Sequence, residues 1–416
     1  MYDFLLSPEE IEIRDRVRKF VKERVPADLL KQMDRDEVQY PREYVVNLAQ
    51  EGLLGLRFDK EWGGQGMGWT AEVAALEEIG PLGMALGCLY SLPSICGEAL
   101  SKFGNDDQKA AYLKPTLEGK KFCAEALTEP RGGSDFFGAT TKAEQDDNGD
   151  WLLTGQKRFV VGAEGADYFI LYARTGDEST ASKDSITLFI VDKESAGVET
   201  KYLYKLLGTR GGGAGRLMLT KAKVPAENII GKVGDGGKIF YQMMIPERMT
   251  SAAGIIGGAR AALDVAAEYS MKRKQFGQHI MEFQGVSFKI ADSIMLLDAA
   301  RAVVYMAARA IDSGQSPAMC RRLVSEAKRF STEKSWDIVN MAMQVVGGIG
   351  YTQVYPIEKI LRDARLSMIW TGTSEIMNLI IQHEFYKELG ERKAKRDERD
   401  VEADSLEDAT EEKVFE

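Results

Sequence analysis

The spacing of apolar residues changes twice along the 416-residue chain. In residues 1–120 apolar side chains recur at helical spacing, as Val17 and Phe20 do, which is typical of amphipathic helices. Ser7 stands immediately before Pro8-Glu9-Glu10. Because Ser caps helix N-termini and acidic residues favour the first turn, this tetrapeptide predicts where the first helix begins.

Residues 121–237 have a different pattern. Short runs of β-branched and aromatic residues are separated by clusters of Gly, Asp and Asn, which is typical of strands joined by turns. The runs lie at 151–153, 159–161, 168–172, 186–191 and 217–219. We therefore expect an antiparallel β-sheet or β-barrel in the middle of the chain.

Helical spacing returns in residues 238–390. Val286, Ile290 and Leu297 lie on one predicted helix face with charged residues between them, which indicates an amphipathic bundle helix. Residues 391–416 are dominated by charge and are predicted to be a solvated helical extension or a disordered tail.

These patterns predict an α+β fold with three domains and a tail. We expect an N-terminal helical domain (1–120), a middle antiparallel β domain (121–237), a C-terminal helical bundle (238–390) and a charged tail (391–416).

Composition excludes several classes of function. The net charge of −10 argues against a nucleic-acid or anionic-membrane binder, because phosphate neutralisation needs a basic face. Four Cys and two His are too few for a disulfide scaffold, a histidine-based metal site or a Ser-His-Asp hydrolase, so we expect no metal. No apolar run reaches the roughly 18–20 residues of a membrane span, and the N-terminus lacks the features of a leader. We therefore expect a cytoplasmic enzyme.

Four stretches contain the residue types that could hold a flat ring or a phosphate. Small residues let a ligand approach the backbone, and Thr128 and Ser134 offer hydroxyls. Taken alone, a Gly-rich turn of this kind is more often a plain loop. The stretches are Thr-Glu-Pro-Arg-Gly-Gly-Ser-Asp at 128–135, residues 155–163, residues 273–278 with 283–284, and residues 344–351 with 362–365 and 371–376.

Together, in this order and on a helix–sheet–helix layout, the four stretches resemble the acyl-CoA dehydrogenase family. The resemblance runs from Ser7 to about Leu389. It implies a C-terminal four-helix bundle, non-covalently bound FAD and a homotetramer. It also implies removal of an α-proton and a β-hydride from an acyl-CoA thioester, with the electrons passing to an electron-transferring flavoprotein.

The resemblance also implies which residues contact FAD. Thr128 corresponds to the residue beside the flavin pyrimidine edge, Ser134 to a pyrophosphate and substrate contact, and Phe159 to a position where the family usually stacks a Trp. Val161 departs from the family, since many relatives have a Ser or Thr there. The full set of expected contacts is Leu127, Thr128, Gly133, Ser134, Phe159, Val161, Thr373 and Glu375, with Arg273, Phe276, Gln284, Gln344, Gly347 and Gly348 offered by a neighbouring subunit.

The catalytic base is the main departure from the family pattern. Many members have a Glu directly before the Gly-Thr that holds FAD, but here that residue is Thr371, whose hydroxyl is not a base at neutral pH. Glu247, directly before Arg248, matches the helix position where the isovaleryl-CoA and long-chain branches have their catalytic Glu. We therefore predict that Glu247 is the base. The alternative is a surface ion pair of Glu247 with Arg248 or Lys272, and Pro246 would either open or kink the helix.

The expected substrate contacts are Tyr90, Ser91, Ser134, Arg248 and Thr371, with Arg248 at the active-site end of the CoA arm. Relocated bases occur in branches that handle branched or long acyl groups, so we favour a short branched or cyclic acyl-CoA. Three alternatives stay open: a flavin-dependent acyl-CoA oxidase, an enoyl-CoA reductase of the same fold, and a redox-inactive acyl-CoA-binding protein.

Overall fold

The computed structural model describes residues 3–176 and 182–395. Helices form its first part: α1 (Pro8–Arg24), α2 (Ala27–Asp34), α3 (Arg42–Gln50), α4 (Trp69–Ile79), α5 (Met84–Phe103), α6 (Asp106–Gln108) and α7 (Lys114–Leu117). The predicted start of α1 is confirmed. The Glu10 N–H donates to the Ser7 hydroxyl at 3.3 Å, and the Ser7 N–H donates to the Glu10 carboxylate at 2.7 Å, which is a capping box.

The middle part is an eight-stranded sheet. Its strands are β1 (Cys123–Ala126), β2 (Lys142–Gln145), β3 (Trp151–Val160), β4 (Tyr168–Arg174), β5 (Ile186–Asp192), β6 (Val198–Leu203), β7 (Gly215–Val224) and β8 (Ile229–Ile230). The order is β6-β7-β3-β2-β4-β5-β8, with β1 also paired to β4. Most neighbours are antiparallel as predicted, but β1 and β2 run parallel to β4. Strands β4 and β5 are buried at almost every position, because both of their faces are covered.

The last part consists of long helices joined by a small hairpin. These elements are α8 (Gly236–Lys272), β9 (Lys274–Gln275), β10 (Gln278–His279), α9 (Gln284–Asp312), α10 (Pro317–Val346), α11 (Ile357–Ser367) and α12 (Ser374–Lys395). Helices α8, α9 and α10 pack on one another, and α12 packs on α10 as the fourth member of the bundle. Pro246 lies inside α8 and does not open it. Residues 391–395 continue α12, and the rest of the predicted tail lies outside the described residues.

Two aspartates tie these parts together around the site. Asp312, at the end of α9, accepts from the backbone N–H groups of Trp69 and Thr70 at 2.6 and 2.9 Å, and so holds the start of α4. Asp363, on α11, accepts from the Thr209 N–H in the loop before β7 at 2.6 Å. Within the described ranges, no helix combines the length and apolar character needed to cross a bilayer.

Candidate active site

Glu247 lies on α8 where α5, β1 and β4 converge. Its side chain is half-buried. Burial is the largest cause of the raised pKa of Cys88 (α5), Glu125 (β1) and Tyr172 (β4), and the Glu247 carboxylate raises the pKa of each further. Glu247, on a helix of the C-terminal part, therefore lies near titratable groups of the N-terminal and middle parts of the fold.

The alternative ion pairs of Glu247 are not formed. Lys272 pairs with Glu268, one turn away on the exposed side of α8, at 3.2 Å. The Arg248 guanidinium turns towards Thr371, whose carbonyl accepts from Nε at 3.4 Å. Neither cation therefore forms an ion pair with the Glu247 carboxylate.

Arg248, directly after Glu247 on α8, is a buried cation. Its two hydrogen bonds are long: 3.4 Å to the Thr371 carbonyl and 3.4 Å to the Ser325 hydroxyl. Burial lowers the pKa of Arg248 to about 10, although Glu247 acts in the opposite direction. A guanidinium with such weak partners suits a polar or anionic ligand group.

The loop that contains Thr371 is strained. Thr371 has φ 52°, a left-handed conformation that is unusual for a β-branched residue. Its hydroxyl lies 3.3 Å from that of Ser251 on α8, and the next carbonyl, of Gly372, accepts from Lys328 Nζ at 2.6 Å. Burial, reinforced by the nearby Arg248, lowers the pKa of Lys328 to about 7. Helices α8 and α10 thus hold the loop in place from two sides.

A buried ion pair fixes the first of the four stretches. Glu129 and Lys157 are both fully buried and lie 2.8 Å apart. Burial opposes the ionisation of Glu129, but Lys157, a hydrogen bond from Thr141 and the Thr140 N–H lower its pKa to about 2. Lys157 Nζ also donates to the Leu127 carbonyl at 3.2 Å. This buried pair, which the sequence did not reveal, sets the path of the backbone at Leu127 and Thr128.

Around this anchored backbone lie the other members of the first expected FAD set. Gly133 and Ser134 are exposed at the turn after Thr128. Phe159 is 53% exposed at φ 55° and packs against Tyr204 with ring centroids 4.7 Å apart. Val161 follows at the end of β3 and is half-buried. The two stretches meet directly, since the Arg158 N–H donates to the Thr128 carbonyl at 2.7 Å.

The second expected FAD set lies in the C-terminal part. Arg273 directly follows α8, and Phe276 lies in the turn of the β9–β10 hairpin. Gln284 begins α9, and the end of α10 and the turn after it contain Gln344, Gly347 and Gly348. Phe276 is 94% exposed. Thr373 and Glu375 begin α12, where the Thr373 hydroxyl lowers the pKa of the Glu375 carboxyl. Because the apolar Phe276 ring is so exposed on a single chain, it is suited to contact a ligand or another subunit.

The open backbone at these glycines fits a dinucleotide. A Cβ placed on Gly133, Gly347 or Gly348 would meet no atom within 4 Å, so a pyrophosphate can approach each of them. Arg273 is exposed and could provide a charge-assisted bond to a phosphate. The residues present therefore fit FAD.

Two of the expected substrate contacts, Tyr90 and Ser91, do not lie among the groups that surround Arg248 and Thr371. Burial, followed by Glu72 and Tyr44, raises the pKa of the Tyr90 hydroxyl, while Arg57 acts to lower it. These neighbours place the hydroxyl in the N-terminal helical core rather than beside Glu247. The Ser91 hydroxyl donates to the Gly87 carbonyl of its own helix at 2.7 Å. Neither is brought together with Arg248 and Thr371 by the contacts that it makes.

Sequence reasoning missed Glu125, on β1. Burial and then the Glu247 carboxylate raise the pKa of Glu125 well above its usual range, while the Tyr172 hydroxyl acts to lower it. The signal was present as a single acid inside an otherwise apolar run, Phe-Cys-Ala-Glu-Ala-Leu at 122–127. Such a residue is either exposed on one face of a strand or placed for function.

Three family models together match most of the chain. They are described as the N-terminal, middle and C-terminal domains of acyl-CoA dehydrogenase, and match residues 7–120, 124–222 and 234–385 respectively.

Individual relatives match over nearly their whole length. An acyl-CoA dehydrogenase of Bacillus subtilis is 34% identical over 90% of this chain and 97% of its own. A subunit of the caffeyl-CoA reductase–Etf complex of Acetobacterium woodii is 34% identical over 90% and 97%. The solved structure of butyryl-CoA dehydrogenase from Megasphaera elsdenii is 30% identical, covers 92% of this chain and 99% of its own, and has a TM-score of 0.87.

Proposed function

The chain belongs to the acyl-CoA dehydrogenase family of FAD-dependent oxidoreductases, and from that premise we propose that it introduces an α,β double bond into an acyl-CoA thioester. Glu247 is the catalytic base in this proposal. The observation that carries it is the position of the Glu247 carboxylate, which faces groups of α5, β1 and β4. Thr371, at the other family position, has no group that can accept a proton at neutral pH.

The proposed mechanism assigns a task to each residue. FAD, when bound, supplies the acceptor for the β-hydride. Glu247 accepts the α-proton, and the electron pair of that C–H bond forms the new double bond. Arg248 and Thr371 bind the substrate at the acyl end of CoA, and Ser134 contacts both cofactor and substrate. FAD is held by the two sets of residues described above.

Partners and substrate class form the finer part of the proposal. An electron-transferring flavoprotein is the proposed acceptor, and the name of the related caffeyl-CoA reductase–Etf complex subunit supports it. A homotetramer is proposed because apolar side chains are exposed on the C-terminal helices and turns, including Phe276, Phe288, Met295, Tyr351 and Val354. A short branched or cyclic acyl group is the proposed substrate.

The reverse reaction is a second candidate. The related subunit is named as part of a reductase, so the same site could return a proton from Glu247 to an enoyl-CoA. Mixing the reduced protein with enoyl-CoA thioesters and following flavin reoxidation separates this direction from the dehydrogenase direction.

The test of the proposal is anaerobic flavin reduction by a panel of acyl-CoA thioesters. Glu247→Gln keeps the size of the side chain but removes the base, and we expect reduction to slow by about 10²- to 10⁴-fold. Glu268→Gln is the matched control, because Glu268 is an exposed glutamate of the same helix that pairs with Lys272. Full-speed reduction in Glu247→Gln would overturn the role of Glu247. A preparation without a flavin spectrum would overturn the cofactor.

A further inference from the structure

A second carboxyl lies against the proposed base. Glu125 is on β1, and its Oε1 atom is buried without a hydrogen-bond partner in the described residues. The same is true of the hydroxyl of Tyr172. Glu125 is paired in parallel register with Ile170 of β4, and Tyr172 follows Ile170 by two positions. Because side chains alternate along a strand, Glu125 and Tyr172 lie on the same face of the sheet.

Helices α8 and α5 also contribute titratable groups close to Glu125. The Glu247 carboxyl of α8 contributes to the raised pKa of both Glu125 and Tyr172. Burial is the largest cause of the raised pKa of the Cys96 thiol of α5, and Glu125 and Glu247 are among the groups that raise it further. The titratable groups that face Glu125 are therefore Glu247, Tyr172 and Cys96, and all of them are neutral or negative.

Glu125, a half-buried residue with a buried Oε1 atom, differs in this respect from three fully buried glutamates of the fold. Glu129 has Lys157 at 2.8 Å, and Glu72 and Glu98 have Arg57 at 2.7 and 2.9 Å. No cation is among the groups that act on Glu125. Two carboxyl groups that share a buried site cannot both ionise without a large electrostatic penalty, so one of them keeps its proton.

Glu125 is the member that keeps the proton. Its Oε1 atom is buried without a hydrogen-bond partner among the described residues, and burial is the largest cause of its raised pKa. The Glu247 side chain belongs to α8, where it directly precedes the buried Arg248. A neutral carboxyl is a hydrogen-bond donor as well as an acceptor, unlike a carboxylate.

We propose that Glu125 is a positioning residue for the reaction: its neutral carboxyl donates a hydrogen bond to the Glu247 carboxylate, so that the pair holds one proton in the resting enzyme. This inference rests on the proposed function of Glu247. When the α-carbon–hydrogen bond breaks, its proton goes to Glu247 and its electron pair enters the new double bond. Glu125 keeps its own proton throughout, and the pair then holds two.

The proposal predicts an alkaline limb in the pH profile. Flavin reduction by acyl-CoA falls when Glu125 loses its proton, because the donor is then replaced by a second negative charge. In Glu125→Gln the amide still donates but does not titrate, so the alkaline fall should vanish. In Glu125→Met the donor is lost, and we expect kcat to fall about 10- to 100-fold with KM nearly unchanged. Unchanged profiles and rates in both variants would overturn the proposal.

A spectroscopic readout tests the shared proton without turnover. Infrared spectra of the purified flavoprotein with ¹³C-labelled glutamate should contain the C=O band of a protonated carboxyl at neutral pH. The band should disappear in Glu125→Gln and persist in Glu247→Gln. A band that persists in Glu125→Gln would overturn the assignment of the proton to Glu125.

These measurements separate failure of this inference from failure of the proposed function. If Glu247→Gln reduces flavin at full speed but the infrared band behaves as expected, the base assignment is wrong and the protonation of Glu125 stands. If the Glu125 variants change KM for one acyl-CoA of the panel and leave kcat and the pH profile intact, Glu125 is a substrate contact and the positioning role is overturned.

Discussion

Two groups of glutamates in this protein, one buried and one half-buried, have opposite electrostatic surroundings. In the N-terminal helical part, Arg57 lies between Glu72 and Glu98 at 2.7 and 2.9 Å. At the candidate site, the groups that shift the pKa of Glu125 are the Glu247 carboxyl and the Tyr172 hydroxyl, and no cation is among them. Arg57 lowers the pKa of Glu98 although burial opposes this, whereas burial and Glu247 raise the pKa of Glu125. Burial alone therefore does not set the charge of a glutamate here; the neighbouring groups do.

The difference separates a structural role from a functional one. A buried carboxylate with a well-placed guanidinium is satisfied, and removing the cation leaves an uncompensated charge. A buried acid without a cation is unfavourable for folding and is retained where chemistry needs it. This contrast makes opposite predictions for the two groups.

The largest expected effect is the loss of Arg57. Arg57→Met leaves Glu72 and Glu98 buried without their cation and also removes the guanidinium stacked 3.7 Å from the Trp69 ring. We expect a loss of about 3–5 kcal/mol in the free energy of unfolding, measured by urea denaturation. Lys272→Met, which breaks an exposed ion pair on α8, is the control, with an expected loss of at most about 0.5 kcal/mol. Equal losses in the two variants would contradict the contrast.

The pH dependence of stability should have opposite signs for Glu125 and for Glu78, another buried glutamate of the N-terminal helical part, which pairs with Arg18 and Arg260. Burial opposes the ionisation of Glu78, but Arg260 and Arg18 lower its pKa from 4.5 to about 2. Glu78 therefore stabilises the fold above pH 4.5, and this contribution is lost as the pH falls towards 2. The pKa of Glu125 is raised, so its contribution is present below its ordinary value and is lost as the pH rises through the folded value.

Denaturant titrations of Glu78→Gln, Glu125→Gln and wild type across pH measure this difference. The stability advantage of wild type over Glu78→Gln should shrink at acid pH, by about 2–3 kcal/mol in total, the half-exposed Arg18 reducing the upper figure. The stability of wild type relative to Glu125→Gln should instead decline as the pH rises. Parallel curves for the two variants would show that the two acids do not differ as inferred.

Much of the fold could be predicted because the signals are local. The Ser7–Glu10 capping box and the strand runs at 168–172 and 186–191 are short-range patterns, and each appears in the structure. The parallel contacts of β1 and β2 with β4 could not be predicted, since strand direction depends on which distant strands meet.

The site was predictable only in part for the same reason. Glu247 could be chosen from its position before Arg248 and from the Thr at 371, which are both features of the sequence. Its neighbour Glu125 could not, because the two lie far apart in the chain and only the fold brings them together. The buried Glu129–Lys157 pair is a similar case: the sequence places Glu129 in a Gly-rich loop, and only the fold supplies its cation.

The smallest expected effect concerns an acid that is satisfied without a cation. Asp312 accepts from the Trp69 and Thr70 N–H groups at 2.6 and 2.9 Å and from the Thr70 hydroxyl at 2.7 Å. It caps α4 from a distant helix because Gly68, which precedes α4, has no side chain to do so. Asp312→Ala should therefore cost about 1 kcal/mol in the free energy of unfolding, measured by urea denaturation. Asp312→Asn keeps one acceptor oxygen and should lose roughly half as much. If both variants match wild type, backbone donors do not replace a cation here, and the distinction between satisfied and unsatisfied buried acids has to rest on ion pairs alone.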